Sequence, residues 1–71
     1  MEYINNYNKL LELLTEEVDI DGKKYLLKEE FEKFFEKNNK TAATRIRKIM
    51  QLVKGQAQEI RDEVQNHRKN D

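Results

Sequence analysis

The chain has no cysteine, no proline and no tryptophan, and only two glycines in 71 residues. Without cysteine there is neither a disulfide framework nor a thiolate zinc site. Serine is missing as well, and the carboxylates read as solvated helix faces, so neither nucleophilic nor paired-carboxylate catalysis has a candidate. No enzyme activity, cofactor or small-molecule substrate is expected. The lone histidine, His67, lacks companions for a metal site. No apolar run is long enough to cross a bilayer, and Met1–Asn6 has neither the basic start nor the apolar stretch of a secretion signal. A cytoplasmic, membrane-free location is expected.

Material for a core is scarce. Hydrophobic residues make up 37% and charged residues 39%, against ~45–50% and ~25% in ordinary domains. Domains usually run to ~100–150 residues, so one small domain is the ceiling, and self-association into a dimer or higher oligomer would help bury what apolar surface there is.

The net charge of zero conceals a strong polarity. Residues 1–36 carry five lysines and ten acids, whereas residues 37–70 carry nine cations and three acids. From Lys37 to Lys54 there are six basic residues and no acid. A block of one sign calls for a partner of the other, inside or outside the molecule.

Apolar periodicity predicts the elements. Ile4, Tyr7, Leu11, Leu14 and Val18 step by three and four, with Leu10 widening the seam, which predicts a helix over 1–17. Asp21-Gly22 between short alternating runs is a hairpin signal, placing a tight turn or small β-hairpin around 18–25, within 18–26. Glu17, Asp19, Asp21 and Gly22 also resemble the start of a helix-loop-helix calcium loop, but its twelfth position is Lys28, which repels calcium. Leu27, Phe31, Phe34 and Phe35 predict a second helix over 27–38, with the phenylalanines as core. Tyr3, Tyr7 and Tyr25 are expected at the core edge. Ile46, Met50, Val53, Ala57, Ile60, Val64 and His67 then form the seam of a long, basic, coiled-coil-like helix over 40–68. The phase slips before it, and Asn38, Asn39 and Thr41 are N-cap types at the slip, so a new helix is expected to start near 39–41; a continuous bent helix is the other reading. Gly55 falls on its outer face, with a close backbone approach as the one rationale. The polar tail after His67 is expected to fray. The expected architecture is all-α: a single domain over 1–71, built as a helical hairpin or small antiparallel bundle.

With Ile46 at heptad position d, Lys40, Arg47, Lys54, Arg61 and Arg68 all fall at e, and Lys48 at f. At 1.5 Å per residue this row of cations spans roughly 42 Å. It suits a nucleic-acid backbone, whose affinity comes from neutralising phosphates. Two alternatives stand beside it. A parallel homodimer would pair e with g, but the g residues are Ala42, Ile49, Gln56 and Glu63, which leaves most of the row unpaired. Acids of the first half, such as Glu29, Glu30, Glu32 and Glu36, could instead fold across the cations. In that case the chain is a helical protein-interaction or coiled-coil oligomerisation module with no nucleic-acid role. Lys40 and Thr41 near a helix start, followed by Thr44, Arg45, Arg47 and Lys48, gather cations, hydroxyls and free N–H groups suited to phosphate.

The stretch "NNKTAATRIRK", then "MQ" and "AQEIRDEVQ", resembles the small bacterial linker-histone-like proteins. Phe31, Phe34 and Phe35 stand for the aromatic lead of that pattern. Lys37, Asn39, Lys40, Ala42, Thr44, Arg45, Arg47 and Lys48 match its core. Met50, Gln51, Lys54, Ala57, Gln58, Ile60, Arg61, Glu63, Val64 and Gln65 match the helix that follows. The likeness runs over about residues 31–69. Asn38 and Ala43 stand where the pattern has glycine, and the acidic first half lies outside it. The resemblance implies architectural, largely sequence-independent DNA binding in the nucleoid, without catalysis. Together with the cation row it nominates Lys37, Lys40, Thr41, Thr44, Arg45, Arg47, Lys48, Lys54, Arg61 and Arg68 as phosphate contacts.

Overall fold

A computed structural model describes residues 2–69, with side chains described from 4 to 68. The elements run α1 (Glu2–Thr15), β1 (Glu17–Ile20), β2 (Lys23–Leu26), α2 (Leu27–Phe35) and α3 (Lys40–Lys69). Helices dominate, but the all-α expectation needs amending, because β1 and β2 form a two-stranded antiparallel sheet. Its register pairs Ile20 with Lys23 and leaves a two-residue loop. Asp21 and Gly22 both take positive φ, 54° and 84°, as a tight hairpin turn matched to strand twist requires. The Gly22 N–H donates to Asp19 Oδ1 at 3.1 Å, closing the turn. The residues that resembled a calcium loop are therefore a hairpin, and no group of three or more potential ligands gathers among the described residues.

α2 ends at Phe35, earlier than expected, and the chain reverses instead of continuing. Asn38 adopts φ 54°, the left-handed conformation typical of helix ends and tolerated by glycine and asparagine. Its N–H donates to the Phe34 carbonyl and that of Asn39 to the Lys33 carbonyl. Asn39 then caps α3, its Oδ1 accepting from the N–H of Thr41 at 3.0 Å and of Ala42 at 3.4 Å. The expected helix start near 39–41 is thus confirmed and the bent-helix alternative falls.

α3 is the platform of the molecule, and α1 and α2 both pack along it. The core is small: Val18, Leu27 and Ile49, flanked by Leu13, Ile20, Ile46 and Val53. Ile49 and Ala42 are completely buried. Both were assigned to position g, and Gln56 and Glu63, also at g, turn inward too. Of the expected seam, Ile46, Val53, Ala57 and Ile60 are half-buried, whereas Met50, Val64 and His67 are exposed. The helix is rotated by half a residue step, about 50°, so that g and d, not a and d, face inward. One cause is polar. Asn6 of α1 donates to Glu63 Oε2 at 3.0 Å and accepts from Gln56 Nε2 at 3.2 Å, a layer that fixes how α1 lies on α3.

α1 shows the complementary correction. Its inward residues are Asn6, Leu10 and Leu13, while Ile4, Tyr7, Leu11 and Leu14, the expected seam, are exposed. The apolar arc of α1 is wide, and α3 takes up only one flank of it. Likewise only Phe34 of the three phenylalanines is half-buried; Phe31 and Phe35 are exposed and meet at a tilt of 48° with ring centroids 5.6 Å apart. Tyr25 is half-buried as expected, Tyr7 is exposed, and the Tyr3 side chain lies outside the described residues. The tail expected to fray after His67 stays helical to Lys69; the rest of it lies outside the described residues.

Gly55 has no close approach to explain it: a Cβ built there meets nothing within 4 Å. Gly55→Ala is expected to raise stability by about 1 kcal/mol, read as a higher urea midpoint. Asn38→Val should lower it by about 1–2 kcal/mol through the left-handed backbone.

Candidate nucleic-acid interface

The nominated residues fall into two sets on different sides of α3. Lys40, Arg47, Lys54, Arg61 and Arg68 recur every seven residues along its solvent side, and all five are exposed. None of them takes part in the ion pairs formed between described residues. Helical spacing places Gln51, Gln58 and Gln65 among them, while Glu59 projects from the hairpin flank and Glu63 turns inward to Asn6. This outer surface carries five cations and three amides, with Asp62 as its one acid among the described residues, accepting from Gln58 Nε2 at 2.9 Å. Lys37 is exposed in the loop leading to α3.

Thr41, Thr44, Arg45 and Lys48 face the hairpin instead. With Ile20, Asp21, Lys23 and Tyr25 they line a cleft of about 290 Å³ between the sheet and the first turns of α3. Two of its cations already have partners. Arg45 Nη1 donates to Glu30 Oε1 at 3.1 Å, and its guanidinium carbon lies 4.3 Å from the Tyr25 ring centroid, a stacking geometry that suits arginine. Glu30 is only 1% exposed and also receives Lys33 Nζ at 3.2 Å. Lys48 Nζ meets Asp21 Oδ2 at 3.1 Å, with both groups well exposed.

These pairs differ in consequence. A carboxylate as buried as Glu30 persists only because two cations answer it, and stripping them away would leave an uncompensated charge. An exposed pair such as Lys48–Asp21 is worth ~0–1 kcal/mol and yields readily to a competing anion. Arg45 is thereby tied into the fold, joining α2, β2 and α3, while Lys48 remains exchangeable. Sequence reasoning named Glu30 as one possible shield among four but did not single it out. The signal was there: Glu30 follows Leu27 by three residues and so shares its inward face.

A protein-family model, histone H1-like protein Hc1, matches residues 2–70. The chain belongs to this family. The match includes the acidic first half, which the motif resemblance had left aside, so α1 and the hairpin are as much part of the histone H1-like pattern as the basic helix is. No curated protein and no solved structure matches the chain.

Glu30→Ala is expected to cost about 3 kcal/mol, whereas Asp21→Asn, which keeps the turn and removes only the exposed pair, should cost less than about 1 kcal/mol. Chemical denaturation of both variants checks the difference; equal losses would refute the division between a structural Arg45 and an exchangeable Lys48.

Proposed function

We propose that this protein binds DNA as a non-enzymatic, architectural component of the nucleoid, and that it does so largely without regard to sequence. The carrying observation is the outer face of α3. Five cations, Lys40, Arg47, Lys54, Arg61 and Arg68, stand open to solvent on one helix, against a single exposed acid on that side, Asp62, and none of the five joins an ion pair among the described residues. Membership of the histone H1-like family supports the same reading. The row extends over roughly 42 Å, and duplex DNA presents one charge per ~1.7 Å of its axis, so phosphates are dense enough to meet each cation that the backbone passes. The three glutamines interleaved with them can donate to phosphate oxygens without reading bases. Lys37, Thr41, Thr44 and Lys48 extend the contact surface around the start of α3, where Lys48 exchanges Asp21 for phosphate. Arg45 contributes by holding α3 against the hairpin and α2.

The alternative, an interaction module whose cations are met by its own acidic half, has two contacts in its favour, Arg45–Glu30 and Lys48–Asp21. It leaves the five outward cations unexplained, and for that reason ranks second.

The decisive measurement is a salt titration of binding to unrelated duplexes. Log affinity should fall linearly with log salt, by about 0.9 for each phosphate neutralised, and alike for all sequences. Replacing Lys40, Arg47 and Lys54 with Gln should reduce the slope by about one per residue. Absence of any complex at low salt and micromolar protein would leave the interaction module standing.

A further inference from the structure

The groove beside β1 is used neither by the core nor by the outer cations of α3. Residues of α1, β1 and α3 line its volume of about 550 Å³. Its floor is apolar, made by Leu13 and Val18 on the core side and by Leu52, which is 46% exposed. Its walls are acidic: Glu12, Glu17, Asp19 and Glu59 stand against one lysine, Lys9. All four acids are exposed, and none joins an ion pair among the described residues.

Main-chain groups and a glycine add to the charge. Across a two-residue turn Ile20 and Lys23 exchange hydrogen bonds, and so do Val18 and Tyr25. Glu17 and Asp19 therefore aim their N–H and C=O groups away from β2. No backbone group elsewhere among the described residues meets them. Of the two strands only β1 lines the groove, so its free edge lies along it. Gly55 lines the same groove. It costs α3 ~1 kcal/mol relative to alanine, and a Cβ there meets nothing within 4 Å. No internal contact requires this glycine, whereas a chain entering the groove gains the room that a side chain would take.

We propose that the groove takes an extended, cationic peptide segment of another protein, added as a third strand on the free edge of β1. The N–H and C=O groups of Glu17 and Asp19 supply the main-chain hydrogen bonds. Residues opposite these two share their face of the sheet, so arginines or lysines there meet the carboxylates directly. The alternate residues turn toward α3, where Leu13 and Leu52 offer apolar contact, and Glu12 and Glu59 draw further cations from the walls. Charged side chains on an edge commonly turn other strands away, but four acids admit a strand of the opposite sign. The same charges repel phosphate, so the groove is no continuation of the DNA surface. A second copy of this chain carries most of its cations on α3, and a helix has no free edge to pair with β1. None of the groove residues belongs to the outer cation row, so the proposal does not depend on the DNA-binding reading, and its test contains no DNA.

The probe is a short fluorescein-labelled peptide that alternates arginine with valine, and the readout is its anisotropy on titration with the full chain. Saturable binding in the micromolar range is expected. The same peptide methylated at every backbone nitrogen keeps its charge but not its donors, and should bind about tenfold more weakly. Glu12→Gln with Glu59→Gln should also cost about tenfold. Glu32→Gln with Asp62→Asn removes the same charge outside the groove and should leave the affinity unchanged. Gly55→Lys should raise the urea midpoint through its better helix propensity and yet weaken the peptide, because its own ammonium group fills the groove. No binding of the alternating peptide overturns the proposal, as does equal binding of the methylated one. Equal losses from the two acid pairs, or a Gly55→Lys chain that binds like the wild type, overturn it too. A Glu12→Gln, Glu59→Gln chain that sediments as a smaller species than the wild type assigns the groove to a second copy and has the same consequence.

Discussion

Everything in this molecule is organised by the fact that only α3 is long enough to serve as a wall. Two short helices and a four-residue-stranded hairpin cannot bury each other's apolar sides, so each must find a place on the same stripe of α3. Residues at heptad positions g and d of that stripe meet three different neighbours in succession: α2 near Ala42, the sheet and α2 near Ile49, and α1 from Val53 onward. At ~1.5–3 kcal/mol for each fully buried aliphatic side chain, the hydrophobic contribution of so small a core is modest. Polar fastenings such as Glu30–Arg45–Tyr25 and Asn6–Gln56–Glu63 therefore matter more to the geometry than they would in a larger domain.

Much of this was legible in the residues. Asp21-Gly22 foretold the hairpin because few other dipeptides accept two successive positive φ angles, and Asn39 foretold the helix start because its side chain can take up free N–H groups. The phase slip between Phe35 and Ile46 marked the reversal. What periodicity could not convey was the rotation of each helix about its own axis. The apolar arcs of α1 and α3 are both wider than one neighbour can cover, so spacing alone was compatible with any rotation inside the arc. Choosing Met50 over Ile49 as the inward residue was an error of half a residue step, and the polar trio of Asn6, Gln56 and Glu63 helped decide the outcome. Such a trio is invisible to a reading that seeks only apolar repeats.

The candidate site fared differently, since exposure of the e row survives a rotation of that size. Turning g inward moves e still further from the core, which leaves Lys40, Arg47 and Lys54 more open than a symmetrical a/d seam would have done. Arg45 is the exception: two positions before Arg47, it comes round to the side occupied by α2 and the hairpin, where Glu30 and Tyr25 receive it. Among the described residues the charge asymmetry between the halves of the sequence is thus met locally, at Arg45–Glu30 and Lys48–Asp21, and not by a general folding of acid onto base.

The five outward cations repeat every seven residues on a helix that turns once in 3.6. Each heptad consequently falls about 20° short of two full turns, and across the four intervals the row winds by about 80° around α3. A rigid, straight anion could follow only a portion of such a track at once. A phosphate strand that itself curves across the helix can stay in register with more of it, so under the proposed function the pitch mismatch built into the repeat favours a backbone that crosses α3 obliquely over one that lies parallel to its axis.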